Sequence, residues 1–254
     1  MNSAIVRALL VRGMLAGLCA GVLAFVFAYL VGEGPVDAAI AFEEAGSHHA
    51  GGGEELVSRS MQSTAGLATG VLVFGVAVGG IAALAFCFAL GRIGRFGARA
   101  TAALTALAAF LTVCLVPTLK YPANPPAVGD PATLDQRTAL YFLMIALSVL
   151  LGIAAVLLGR RLGPKWGNWN ASTAAGLAFV AAVTVAMVFL PSGDKVPEGF
   201  PATDLWEFRI ASLGIQALLW AGFGLLFGYL AERLLEPRAT APAGRGAELS
   251  APAA

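Results

Sequence analysis

The sequence predicts an all-α polytopic membrane protein: six transmembrane helices arranged as three hairpins, with both termini cytoplasmic. Three observations carry this prediction. Hydrophobic residues make up 58% of the 254 positions and charged residues only 12%, with a mean hydropathy of +0.80; ordinary soluble domains carry about 25% charge. Six apolar runs are continuous rather than alternating, and each approaches the roughly 20 residues that a helix needs to cross a hydrocarbon core. Lys and Arg are divided unequally between alternate connections.

The runs cover residues 9–31, 66–90, 100–119, 138–158, 171–190 and 210–231. The first follows Arg7 and Arg12, as a secretory signal would. Its apolar stretch from Gly13 to Val31 is longer than a signal core of about 7–15 residues, and no small-x-small cleavage pattern follows, so it is read as a retained span. One face receives Arg7, Arg12, Arg92, Arg95, Arg99, Arg160, Arg161, Lys165, Arg233, Arg238 and Arg245; the other receives Arg59, Lys120, Arg137, Lys195 and Arg209. The richer face is cytoplasmic by the positive-inside rule. Glu232, Glu236 and Glu248 are the only acids on it, which leaves an acidic outer face. Acids weigh little in orientation, so that asymmetry calls for a functional reason. Residues 1–236 thus form the transmembrane domain. Residues 237–254, "PRATAPAGRGAELSAPAA", are Pro-, Ala- and Gly-rich with nothing to bury, and predict a disordered cytoplasmic tail.

A net charge of +1 gives no reason to expect a nucleic-acid partner. Cys19, Cys87 and Cys114 lie inside apolar runs at different depths, which argues for small buried packing residues rather than one metal site or a disulfide framework. Glycines recur at spacing four: Gly13, Gly17 and Gly21; Gly66 and Gly70; Gly75 and Gly79; Gly224 and Gly228. Such spacing lets helices approach closely in lipid. Internal packing is one use, and a seam for a partner helix on the first span is another. No Gly-Lys-Ser/Thr phosphate loop is present.

Chemistry concentrates in the outer loops. "FEEAGSHHAGGGEE", residues 42–55, combines both histidines of the chain with four carboxylates. Imidazole nitrogen and carboxylate oxygen suit a divalent first-row cation, so Glu43, Glu44, His48 and His49 are the principal candidates for capture. The preceding "VDAAIAFEE" suits one or two helical turns, on which Asp37 and Glu44 share a face. The "GGG" lets Glu54 and Glu55 fold back. A solvated acidic loop is the simpler alternative. Asp130 and Glu207, in the second and third outer loops, join Asp37 as secondary acids. The second loop, "KYPANPPAVGDP", has four prolines in twelve residues and is expected to be stiff and extended, with Lys120, Tyr121, Pro122, Asn124, Pro125 and Pro126 as its structural residues. Pro117, just before it, predicts a kink in the outer end of the third run. The third loop ends in an amphipathic turn whose Trp206 and Phe208 suit an aromatic interface anchor.

The span centres contain no ionisable Asp, Glu, His, Lys or Arg, so a cation crossing this chain must use neutral groups, water or a partner. Polar stripes enter three helices from outside: Arg59, Gln62 and Thr69; Arg137, Tyr141 and Ser148; Arg209, Ser212 and Gln216. They suit a funnel if Glu55, Asp135 or Glu207 neutralise the arginines. Alternatively, the arginines pair locally and anchor helix ends.

"GEGPVDAAIAFEEA", "LVSRSMQSTAGLATG", "KYPANPPAVGDP", "RTALY" and "GFPATDLWEFRIASLGIQALLW" together resemble the CbtA family of predicted bacterial cobalt transporter subunits, over about Arg12 to Glu232. The resemblance implies a non-enzymatic, multi-pass protein of the bacterial inner membrane. It further implies Co²⁺ uptake linked to cobalamin synthesis, with Co²⁺ as cargo rather than a resident cofactor, and a small single-span, histidine-bearing CbtB-like partner beside the membrane lipids. Homo-oligomers are a further option. The family is often described with five spans, whereas the charge pattern here favours six. Two other readings stay open: a membrane scaffold or metal sensor without transport, and an intramembrane metallohydrolase, faintly suggested by Glu43-Glu44 followed by histidines.

Overall fold

The structure is a computed structural model that describes residues 2–46, 58–126, 128–129, 133–192, 196–197 and 199–236. Among these, every regular element is helical. In chain order they are α1 (Ser3–Phe27), α2 (Glu33–Gly46), α3 (Arg59–Met61), α4 (Leu67–Ala89), α5 (Ala98–Ala109), α6 (Val116–Lys120), α7 (Leu134–Phe189) and α8 (Ala202–Leu235). Single π-helical turns at Ala28–Gly32, Gln62–Gly66 and Phe110–Leu115 join α1 to α2, α3 to α4 and α5 to α6. Five continuous segments are thereby long and apolar enough to cross a membrane: Ser3–Ala45, Arg59–Ala89, Ala98–Lys120, Leu134–Phe189 and Ala202–Leu235.

Five segments accommodate six apolar runs because α7, 56 residues long, is two helices joined across Gly167, whose φ of 75° and ψ of 158° are not helical. That backbone region is open essentially to glycine alone. The arms of α7 fold back on one another: Gly159 lies against Ala171 and Ala175, and Gly152 against Phe179. The runs predicted at 138–158 and 171–190 occupy these two arms.

α1, α4, α5 and α8 form a four-helix bundle in which α1 packs on α4 and α8, and α5 on α8. Its centre holds Leu9, Phe86, Phe223 and Phe227; Phe86 meets Phe227 edge-on and Phe223 stacks on it, both at 5.1 Å between ring centres. Aromatic pairs of either geometry gain from their ring quadrupoles beyond simple burial. Around these rings the contacts are made by small residues. A Cβ on Gly13 would stand 2.6 Å from the Gly79 carbonyl oxygen, and one on Gly75 2.6 Å from that of Gly17. Gly224 and Gly228 likewise face Ala106 and Ala102 of α5. In lipid, where no hydrophobic drive joins helices, this backbone-to-backbone approach supplies dispersion contact instead. The glycine spacing of the first span is therefore an internal seam with α4. Gly66 and Gly70 do not extend it: Gly66 belongs to a π turn and Gly70 faces open space.

The three π turns have local causes. A proline removes a donor and its ring clashes with the carbonyl four residues back. Pro35 and Pro117 follow the first and third π turns within three residues, and a widened turn moves the offended carbonyl aside. The kink expected at Pro117 thus takes the form of a π turn. The second turn has no proline. There the Thr64 hydroxyl donates to the Ser60 carbonyl at 2.6 Å and that of Ser63 to the same oxygen at 3.3 Å, competing with the backbone for it.

α7 joins the bundle through the C-terminal half of the third segment. Met144 and Val183 pack with Val116 and Tyr121, and the Ser148 hydroxyl donates to the Thr112 carbonyl. Of the cysteines, only Cys114 is buried: it accepts from Trp220 Nε1 at 3.2 Å and donates to Gln216 Oε1 at 3.5 Å. Cys87 is half-buried and Cys19 is exposed, which corrects the expectation that all three are buried. The packed face of α1 runs through Leu9, Gly13, Ala16, Gly17, Ala20 and Ala24, and position 19 lies off it.

Candidate functional site

The candidate site is a cap at the end of the bundle where α2, the proline-rich loop and the start of α8 converge. α2 is longer than the one or two turns expected, running fourteen residues from Glu33 as a continuation of α1. Pro35, Ala39 and Phe42 give it an inner face at helical spacing. Ala39 packs there with Val128 and Phe200, and the Phe42 and Phe200 rings meet edge-on at 5.2 Å.

Two further ties close the cap. Tyr121 is buried, and its hydroxyl donates to the Pro191 carbonyl at 3.0 Å. Burial raises its pKa above the ordinary tyrosine value, which keeps the donor proton in place. Arg209, on α8, donates through Nε to the Ala123 carbonyl at 3.2 Å and through a terminal nitrogen to Asn124 Oδ1 at 3.0 Å. The described part of the loop has no helix between these anchors; it bends at Tyr121 and turns at Pro125, whose carbonyl accepts from the Val128 N–H at 3.2 Å. Pro125 is buried, Pro122 and Pro126 are exposed, and Lys120 sits 5.9 Å from the Tyr121 ring centre.

The acidic side of α2 faces α3. Arg59 pairs with both Glu33 and Asp37, the latter at 2.9 Å. Glu33 was not among the candidates, because the fall in hydropathy at Gly32 places it in a loop. The signal was its spacing of four from Asp37, which matters only if the helix continues. Among the described residues, Arg59 is met by Glu33 and Asp37, and Arg209 by a carbonyl and an amide. These two arginines anchor helix ends.

Glu43 and Glu44 are exposed on the last turn of α2, and Glu207 is exposed near the start of α8. His48, His49, Glu54, Glu55 and Asp130 lie outside the described residues. Among the described residues, no three His, Cys, Asp or Glu side chains stand close enough to hold a metal ion. The three polar stripes are engaged by different neighbours: Arg59 by α2, Tyr141 by Thr118 and Ser148 by Thr112, Arg209 by the proline-rich loop and Gln216 by Cys114. Gln62 opens the second π turn and Arg137 lies in the first turn of α7.

At the opposite end, Glu236 Oε1 accepts from the backbone N–H of Ala98 at 3.2 Å, capping α5. Arg99 pairs with Glu232 at 2.8 Å, and Arg233 lies 4.5 Å from the Tyr229 ring centre. This basic end is tied by local pairs, whereas the cap displays carboxylates.

A family model described as "Probable cobalt transporter subunit (CbtA)" matches residues 6–232. Neither the curated proteins nor the solved structures contain a match to this chain.

Proposed function

Since the chain belongs to the CbtA family of probable cobalt transporter subunits, we propose that it gathers Co²⁺ at its acidic outer cap and passes the ion inward together with a small second subunit. The observation that carries this reading is the cap itself. The proline-rich loop and the start of α8 converge on α2 at one end of the bundle, and α2 presents Glu43 and Glu44 to solvent shortly before His48 and His49 in the sequence. Glu43, Glu44, His48 and His49 form the capture set, with Asp130 and Glu207 raising the local concentration of cations; Asp37 is engaged by Arg59.

The protein spans the bacterial inner membrane six times in this reading, with both termini cytoplasmic. Support comes from the antiparallel arms of α7 about Gly167 and from the antiparallel pairing of α1 with α4 and of α5 with α8. The charge pattern agrees. The family name supplies the second subunit. A dication needs ligands to replace its water inside hydrocarbon, and the described spans offer mainly neutral groups such as Gln62, Tyr141 and Gln216, which is why a partner is required.

The test is cobalt uptake by cells that depend on this system. Replacing His48 and His49 by Ala, with Glu43 and Glu44 by Gln, is expected to lower uptake severalfold at limiting cobalt; unchanged uptake would remove the cap from the mechanism. Labelling residues 42–55 from the cytoplasmic side alone would overturn the orientation. Metal accumulation with and without the second subunit separates transport from the scaffold or sensor reading. No observation favours the metallohydrolase alternative.

A further inference from the structure

α1 and α4, with their extensions, keep one antiparallel register along their whole length. Gly13 meets Gly79, Gly17 meets Gly75, Gly21 meets Val71 and, beyond the π turns, Glu33 meets Arg59. A π turn takes up one extra residue without turning the helix beyond it, so residues past the turn face about 100° away from where an unbroken α-helix of the same sequence would put them. Each partner here carries one such turn, between Gly21 and Glu33 or between Arg59 and Val71, and beyond them Arg59 is aimed at Glu33 and Asp37.

The two halves of this pair differ in what holds them. Below the π turns, backbone lies on backbone, and no side chain can yield to let the helices part. Above them, among the described residues, Arg59, 29% exposed, ties to α2 by ion pairs with Glu33, 18% exposed, and Asp37, 63% exposed. Ion pairs that reach solvent are screened by salt. Helices bend at π turns more readily than elsewhere.

We propose that Arg59 is the latch of an outer gate. The α3 end swings away from α2 about the two matched π turns, while the glycine seam keeps the inner half shut. Such one-sided opening admits an ion from outside without opening a path to the cytoplasm. The purpose of the gate rests on the transport reading, but its test does not.

The test is amide hydrogen exchange of the full-length protein in lipid nanodiscs, with no cobalt present. In the wild type, residues 28–37 and 58–66 are expected to exchange faster than 9–24 and 71–86. Arg59→Gln is expected to accelerate the outer segments about tenfold, the scale of losing a charge-assisted hydrogen bond, and to leave the inner ones unchanged. Removing Ala65 lets its wide turn close to an α-turn with Arg59 still facing α2, so one hinge is lost and the latch is kept. Removing Leu30 and Ala65 together takes out both hinges, and is expected to slow outer exchange below wild type. Raising NaCl from about 0.05 to about 1 M on the wild type screens the latch without any substitution and is expected to accelerate the outer segments alone. The gate is overturned if Arg59→Gln and high salt leave outer exchange unchanged, if the inner segments accelerate equally, or if the paired removal does not slow the outer ones. Loss of cobalt uptake as a function would leave these results standing, so the two failures are distinguishable.

Discussion

The four-helix bundle and the α7 hairpin are built from similar apolar residues, yet they use them differently. In the bundle, glycine and alanine bring backbones together, and a few large rings, Phe86, Phe223 and Phe227, fill what remains. In α7 the large residues point outward: Leu177, Val180, Val185, Val188 and Phe189 are all exposed, and 11% of its most apolar stretch is buried against 28–33% in the other four segments. Hydrocarbon is as apolar as leucine, so burying large side chains gains little in lipid, and close contact is what joins helices. The bundle has small residues at its contacts and coheres. The hairpin has fewer and is held at one end, by Ser148, Met144 and Val183.

This contrast is open to direct attack by substitution. The largest effect is expected for Gly17→Leu, whose side chain would meet the Gly75 and Gly79 backbone. Overpacking usually costs about 1–3 kcal/mol; with no flexible neighbour to yield, loss of monodisperse protein after detergent extraction is expected. Phe227→Ala follows, at about 3 kcal/mol or more, because the ring is fully buried between two others. Reversible unfolding in mixed micelles would measure it, and a cost below 1 kcal/mol would show that the rings are not the centre of the bundle. Gly167→Ala should cost about 1–3 kcal/mol through backbone strain alone, since nothing stands within 4 Å of the site. Val188→Ala near the C-terminal end of α7 is expected to change stability by less than about 0.5 kcal/mol, as for other exposed positions. A cost comparable to that of Phe227→Ala would mean that α7 is covered by another protein chain.

Hydropathy and continuity made the long apolar helices legible, and glycine spacing marked where helices approach closely without saying which helices meet. The resemblance, read from the proline-rich loop and its neighbours, agrees with the family match. What hydropathy could not convey is a helix that continues past the end of its apolar run. It falls at Gly32, which hid the continuation into α2 and, with it, the pairing of Glu33 with Arg59. The buried face of α2, Pro35, Ala39 and Phe42, carried that information in a different pattern. Two of the π turns have prolines beside them; the one at Gln62–Gly66 arises from serine and threonine hydroxyls, a signal shared with many regular helices. The fate of each polar stripe was equally hidden, because which neighbour satisfies Ser148 or Gln216 depends on helix placement rather than local sequence.

The wide turns also bear on how this protein can vary over evolutionary time. Each holds one residue more than an α-turn without turning the helix beyond it, so a lineage can lose that residue from either helix and keep the tips aligned. Relatives are expected to gain or lose single residues at these two places, about 34 positions apart, independently of one another.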